Sequence, residues 1–385
     1  MHVGIDIEQF VCDPYASGIQ RVLQYLALEW PARDAQADFV IPVRGGHGLL
    51  SPQQAGELLT LPFTPREPGA DLRTAVEEWI DVRLAAADII RVKDGDLLAL
   101  YDAWLLPEVS YLPSVLSRFE LFSRVMPTVM IGYDTLPMTE PANYRFAPGT
   151  SARVSEYFRH LATADSVVCI SAWSRDSILG RLRRDPQLPI SVAHPGGDHL
   201  PIRSPRTQQR ATFVRLGTME ARKRPVEIAE AFRAAVDDHG VDAELVFIGG
   251  PSASDDGINV AIADQVARGS VRWIQGASDA QVHDLVHEGT AFLSIGVEGY
   301  GIPVLEAIRL GTPVLYDGVQ PAADLMQGHG AKRIDAITTA GLVDAFCTWA
   351  DPVAVAELHA ELAPDAVPTW TEFARRVAHE LGSVV

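Results

Sequence analysis

Val297-Glu298-Gly299-Tyr300-Gly301-Ile302-Pro303-Val304-Leu305-Glu306 decides the reading of this chain. Two glutamates stand eight positions apart, with two glycines and a proline between them. Ahead of them, Ala291-Phe292-Leu293-Ser294-Ile295 is a short apolar run of strand character. Pro303 stands where a helix begins, and Gly311 and Pro313 stand where it should stop. The stretch therefore reads as strand, glycine loop and short helix. Such a loop aims free backbone N–H groups at one point, which favours an anion. Carboxylates on either side can accept hydrogen bonds from hydroxyls, so the pattern suits a phosphate-bearing sugar. The competing reading is a solvated turn, and the register of both glycines with Pro303 and the helix stop weighs against it.

A similar arrangement occurs earlier. Gly217-Thr218-Met219-Glu220-Ala221-Arg222-Lys223-Arg224-Pro225 follows the apolar run Phe213-Val214-Arg215-Leu216 and precedes a helix opened by Pro225. The helix dipole alone would repel three cations at that point. Their placement makes sense if Lys223 or Arg222 neutralises a diphosphate, Lys as a point charge and Arg as a fork. Near the N-terminus, Ser17-Gly18-Ile19-Gln20-Arg21 lies between a first strand and its helix, and Gly18 would let a ligand approach the backbone. Tyr133-Asp134-Thr135-Leu136-Pro137 follows another buried strand. There Asp134 can orient or accept a proton and Tyr133 can hydrogen-bond an acceptor; an Asp capping the turn before Pro137 is the alternative. His194-Pro195-Gly196-Gly197-Asp198 reads as a loop, and the eleven histidines form no ligand pattern. Asp94-Gly95-Asp96 reads as a turn, not a metal site, and no metal is expected.

Strand and helix patterns alternate along the whole chain. Strands are expected at His2–Ile5, Phe39–Val43, Asp96–Tyr101, Val125–Ile131, Ser166–Ser171 and Ile190–Ala193, with an irregular segment from about Gly45 to Asp71. Polar, proline-bearing Pro201–Arg210 reads as an interdomain linker. Beyond it the rhythm restarts with Phe213–Leu216, Leu245–Ile248, Val271–Ile274, the run before Glu298, and Val314–Tyr316. This rhythm implies α/β architecture: two Rossmann-like domains with parallel sheets facing a cleft at the strand C-termini. The expected division is 1–204 and 205–385, the last helix, about 368–385, packing back on the N-terminal domain.

The chain has 385 residues, 47% hydrophobic and 21% charged, which allows two domains. Its net charge of −18 disfavours nucleic-acid partners and anionic lipid surfaces. Cys12, Cys169 and Cys347 are too scattered for a disulfide framework or a structural zinc site. The N-terminus reaches Asp6 too early for a secretory core, and no apolar run can span a bilayer. A cytoplasmic location is expected.

These residues resemble the retaining GT-B glycosyltransferases of family GT4, or glycosyltransferase group 1. Glu298 to Ala307 with Gly311-Thr312-Pro313-Val314 is similar to the family's E-x7-E element, and Gly217 to Arg224 resembles its donor-phosphate turn. Ala16 to Arg21 resembles its N-terminal glycine loop, and Trp370-Thr371-Glu372-Phe373-Ala374 its closing helix. The resemblance implies the following roles. Lys223, with Arg222 and Thr218 nearby, binds the donor diphosphate. Glu306 holds the ribose, and Glu298 contacts the sugar hydroxyls. Gly299 and the backbone of Tyr300, Gly301 and Ile302 line the sugar and phosphate. Gly18 lets the diphosphate approach the first lobe, while Tyr133, Asp134 and Gln20 lie on the acceptor side. Glu298, Lys223 and Asp134 would carry catalysis. Many members have Arg where Thr218 stands and His where Tyr133 stands. The implied activity is metal-independent transfer of a hexose, of mannose or rhamnose type, from a nucleotide-diphosphate sugar to a hydroxyl acceptor with retention. No cofactor beyond the nucleotide-sugar co-substrate is expected. The alternatives are a non-catalytic nucleotide-sugar-binding partner and another GT-B enzyme, such as a sugar-nucleotide epimerase.

Overall fold

A computed structural model describes residues 1–64, 71–144, 150–206, 208, 210–336 and 338–385. Parts of the expected irregular segment (65–70) and linker (207 and 209) lie outside the described residues. Contacts between Cα atoms divide the chain into two compact units. The first comprises Met1–Met138, Phe146–Pro195 and Thr369–Val385; the second comprises Thr139–Arg145 and Gly196–Pro368.

The first unit is built on eight described strands: β1 (His2–Asp6), β2 (Gln36–Val43), β3 (Gly46–Leu50), β4 (Ile90–Val92), β5 (Ala103–Leu106), β6 (Thr128–Gly132), β7 (Ser166–Cys169) and β8 (Ile190–Val192). They are ordered β4-β3-β2-β1-β5-β6-β7-β8. All pairs are parallel except β2–β3 and β3–β4. Three local expectations need correction. The stretch from Gly45 is regular through Phe63: β3 forms a hairpin with β2, the helix Pro52–Thr60 follows, and a 3-10 turn covers Leu61–Phe63. Ser51 and Gln54 form a reciprocal capping box on that helix. Asp96–Tyr101 is not a strand; Asp94–Asp96 is a 3-10 turn, Leu97–Leu100 a short helix, and the strand begins at Ala103. The first sheet is also mixed, because that hairpin adds an antiparallel edge. The unit ends with the helix Trp370–Val384, where Trp370 is 1% exposed and stacks on Tyr25 at 4.8 Å between centroids.

The second unit carries β9 (Ala211–Leu216), β10 (Ala243–Ile248), β11 (Val271–Ile274), β12 (Ala291–Val297), β13 (Val314–Val319) and β14 (Ala331–Arg333). Every pair in this sheet is parallel, in the order β11-β10-β9-β12-β13-β14. Continuous apolar strands such as Leu245–Ile248 are buried, as a sheet covered on both faces requires. Phe213, Phe232 and Phe346 lock β9 to the helices Pro225–His239 and Thr339–Trp349 by edge-to-face contacts.

Candidate active site

The growth of the second sheet reverses between β9 and β12. Loops leaving strand C-termini at such a reversal open a crevice in which ligands bind. Here those loops are the 217–224 turn and the 298–301 loop, the two segments singled out from sequence. Gly217 takes φ +124°, and a Cβ there would lie 2.7 Å from Lys223 Nζ. Gly296 takes φ +107°, and a Cβ there would lie 2.0 Å from the Arg222 carbonyl oxygen. These two glycines let the turn close on itself and pack against β12. Ala221–Lys223 is one 3-10 turn, and Arg224 at φ +53° leads into the helix opened by Pro225. On the other side Gly301 is the N-cap of the helix Ile302–Arg309, so Pro303 is its second residue.

The packing brings Glu298 to both cations. Lys223 Nζ lies 2.9 Å from Glu298 Oε1, and Arg222 Nη1 lies 3.0 Å from Oε2. Arg222 Nη2 reaches Glu220 at 2.6 Å, and its Nη1 also donates to the Val297 carbonyl. Burial pushes the Glu298 carboxyl up, but Lys223 and Arg222 outweigh it and hold the group at about 2. Burial likewise disfavours the Arg222 charge, and Glu298 and Glu220 more than offset that. Thr218 is half-buried, and its carbonyl accepts from Glu220 N at 2.8 Å. Gly299, Tyr300 and Ile302 are buried; the Tyr300 carbonyl accepts from Ala322 N at 2.9 Å, and burial pushes its phenol up. Glu306, 8% exposed, places Oε1 3.0 Å from His199 Nε2.

Two residues of this site were not singled out from sequence. His199 directly follows the His194–Asp198 loop, and nothing in its spacing marked it. Arg215 is a β9 residue only 2% exposed, and it donates to the Gly217 and Lys223 carbonyls at 3.4 and 3.3 Å. Burial pulls its guanidinium down to about 10, with Glu298 acting against that. Period-two alternation places position 215 on the same face as buried Phe213, which was the available signal. The site thus gathers Arg215, Arg222 and Lys223 around Glu220 and Glu298, three cations against two carboxylates. Such an excess favours a further anion.

The first-unit candidates have different surroundings. Gly18 is exposed, and a Cβ there would meet nothing within 4 Å, so packing does not demand glycine. It opens the helix Gly18–Leu28, capped by Ser17, whose Oγ accepts from Gln20 N at 3.2 Å. Gln20 was expected on the acceptor side. It is fully buried, donates to the Asp13 carbonyl at 3.0 Å and Glu108 Oε1 at 3.2 Å, and accepts from Tyr15 N at 2.8 Å. Its amide organises the 13–17 loop from within. Glu108, which sequence reading passed over, is 2% exposed, and burial lifts its carboxyl to about 8. Tyr133 also turns inward: it is 4% exposed and donates to the Pro107 carbonyl at 2.8 Å. Asp134 is half-buried and accepts from Leu136 N at 2.9 Å, the turn-capping arrangement. Among the described residues no group of three or more His, Cys, Asp or Glu could hold a metal ion, and no helix is long and apolar enough to cross a membrane.

Residues 201–331 match the family described as Glycosyl transferases group 1. No curated protein sequence matches the chain. Among solved structures, the chain is similar to Alr3699/HepE of Anabaena in complex with UDP and glucose, with TM-score 0.64 and 15% identity over 100% of both chains. It is also similar to a UDP-forming alpha,alpha-trehalose-phosphate synthase of Burkholderia xenovorans, with TM-score 0.61 and 11% identity over 100% of this chain and 99% of that one. A third similar structure is TarM of S. aureus, with TM-score 0.54 and 12% identity over 72% of this chain. The match spans about half of TarM, 54% of its length. The fold of the chain is that of the GT-B glycosyltransferases.

Proposed function

We propose that this chain, of GT-B fold and with residues 201–331 matching the group 1 glycosyltransferases, transfers a hexose from a nucleotide-diphosphate sugar to a hydroxyl acceptor. The observation that carries the reading is the pairing of Lys223 and Arg222 with Glu298 at the reversal point of the second sheet. A diphosphate placed there meets two cations and the excess positive charge behind them. UDP is the first nucleotide to test, because HepE binds UDP with glucose; mannose- and rhamnose-type donors remain part of the proposal.

The bond between the anomeric carbon and the diphosphate oxygen breaks, leaving an oxocarbenium-like centre as in glycoside hydrolysis. Lys223 and Arg222 stabilise the departing charge, a contribution of the kind worth about 2.7–4 kcal/mol when one preorganised donor is lost. Glu298 would hold the sugar hydroxyls and Glu306 the ribose. The acceptor oxygen attacks from the face of departure, so configuration is retained, and its proton passes to the leaving phosphate. The lysine and arginine supply the charge that a metal would otherwise supply, so the reaction is metal-independent. Cytoplasmic action completes the proposal.

The inward-facing Tyr133 phenol favours a second reading, a nucleotide-sugar-binding protein without transfer activity. Nucleotide release from UDP-glucose, GDP-mannose and dTDP-rhamnose, measured with and without hydroxyl acceptors, separates the two. Acceptor-dependent release supports transfer. Binding without release supports the second reading, and neither binding nor release refutes both.

A further inference from the structure

Arg215 lies inside β9, two residues before the turn that carries Arg222 and Lys223. Its guanidinium reaches the carbonyl at each end of that turn, Gly217 at 3.4 Å and Lys223 at 3.3 Å. At 2% exposure it is cut off from water, and no carboxylate forms an ion pair with it among the described residues. Glu298 and Glu220 engage Arg222 and Lys223 instead. Taking a cation out of water without a hydrogen-bonded carboxylate is costly, and apolar packing of similar volume would ordinarily replace it. Gly217 answers to the same geometry: its carbonyl accepts from the arginine, and the missing Cβ leaves room for Lys223 Nζ.

We propose that Arg215 is a positioning residue of the donor site, bridging both ends of the 217–223 turn from beneath so that Lys223 and Arg222 face an incoming nucleoside diphosphate. This inference rests on the donor-site reading above. A guanidinium has the planar fork needed to donate to two carbonyls at once; an ammonium is a point donor and cannot span them in the same way. The charge of Arg215 stays behind the turn whether or not a ligand is bound. It therefore adds a fixed positive potential when a diphosphate draws Lys223 and Arg222 away from Glu298.

The test is calorimetric binding of UDP, UMP and uridine to the full chain and to its Arg215→Met and Arg215→Lys variants. Uridine carries no phosphate and reports whether the rest of the site is intact. The expected result is a loss of at least tenfold in UDP affinity for Arg215→Met, with uridine affinity unchanged. Arg215→Lys should recover only part of that loss, because it keeps the charge but not the bridge. UDP affinity within twofold of wild type in both variants would overturn the inference, as would a parallel fall in uridine affinity. Full recovery by Arg215→Lys would overturn the bridging role. If the unmodified chain binds no nucleoside diphosphate, the donor-site reading itself fails, and that result is separate from the variants' behaviour.

Discussion

Replacing Glu298 by glutamine should tighten the binding of free UDP while suppressing sugar transfer. Glu298 pairs with the cations that a diphosphate needs, with Lys223 at 2.9 Å and Arg222 at 3.0 Å. Its carboxyl sits at about 2 against an ordinary value of 4.5. At about 1.4 kcal/mol per pH unit, that gap corresponds to about 3 kcal/mol of attraction net of burial. The side chain is 26% exposed, and a diphosphate would still be partly hydrated, so only part of this passes to the ligand. About 1 kcal/mol, roughly fivefold in affinity, is the expected gain. Calorimetric titration of UDP into wild type and Glu298→Gln at low ionic strength measures it, and added salt should narrow the difference. Turnover with the donor sugar should fall at least tenfold in the same variant, because the amide no longer accepts from the sugar hydroxyls as a carboxylate does. Equal or weaker UDP binding by a folded Glu298→Gln chain would refute the idea that carboxylate and diphosphate compete for the same cations.

The same carboxyl sets an acid limit on stability. Its folded value lies below the ordinary one, so its contribution is present above about pH 4.5 and is lost as pH falls toward about 2; the gap in melting temperature between wild type and Glu298→Gln should be smaller at pH 3 than at pH 5, and an equal gap at both would contradict this. Lys223→Ala should lower turnover by at least tenfold with the fold retained, and an unchanged rate in the purified variant would remove Lys223 from the mechanism. Gly296→Ala should cost about 1–3 kcal/mol in unfolding free energy and displace the 217–224 turn, since its Cβ would meet the Arg222 carbonyl at 2.0 Å; a melting temperature equal to wild type would contradict this. Treatment with a chelator should leave transfer activity intact, and strict dependence on an added divalent ion would contradict the proposed charge stabilisation.

The second unit was the more legible from sequence, for physical reasons. Its buried parallel strands appear as compact apolar runs, and Pro225, Pro303, Gly311 and Pro313 mark helix ends by backbone chemistry that needs no tertiary context. The first unit misled at Leu97-Leu98-Ala99-Leu100, where an uninterrupted apolar run fits a buried strand or a buried helix equally well. The hairpin at Gly45-Gly46 and the Ser51–Gln54 capping box did carry local signals, which the surrounding glycine and proline content masked. In the site, Glu298, Arg222 and Lys223 are legible together because each lies in a glycine-bearing loop that leaves a strand C-terminus. Arg215 and His199 could not. A lone arginine in a strand and a lone histidine after a loop acquire meaning only when the turn closes over one and Glu306 meets the other. Gln20 shows the converse, a polar residue placed as if for a ligand whose amide is taken up by its own loop.

The return of the final helix to the first unit has a consequence for biosynthesis. Trp370 is the ring on which Tyr25 stacks, and 344 residues lie between the two in the order of translation. On the ribosome, the early sheet must wait with an unfilled apolar seam until Trp370 and its helix have been translated. The later unit, a continuous insertion from Gly196 to Pro368 apart from a short upstream segment, emerges whole before that seam can close. Nascent chains stalled before Thr369 should therefore display a protease-resistant second unit beside a first unit still open to cleavage, a sequence of maturation opposite to the order of synthesis.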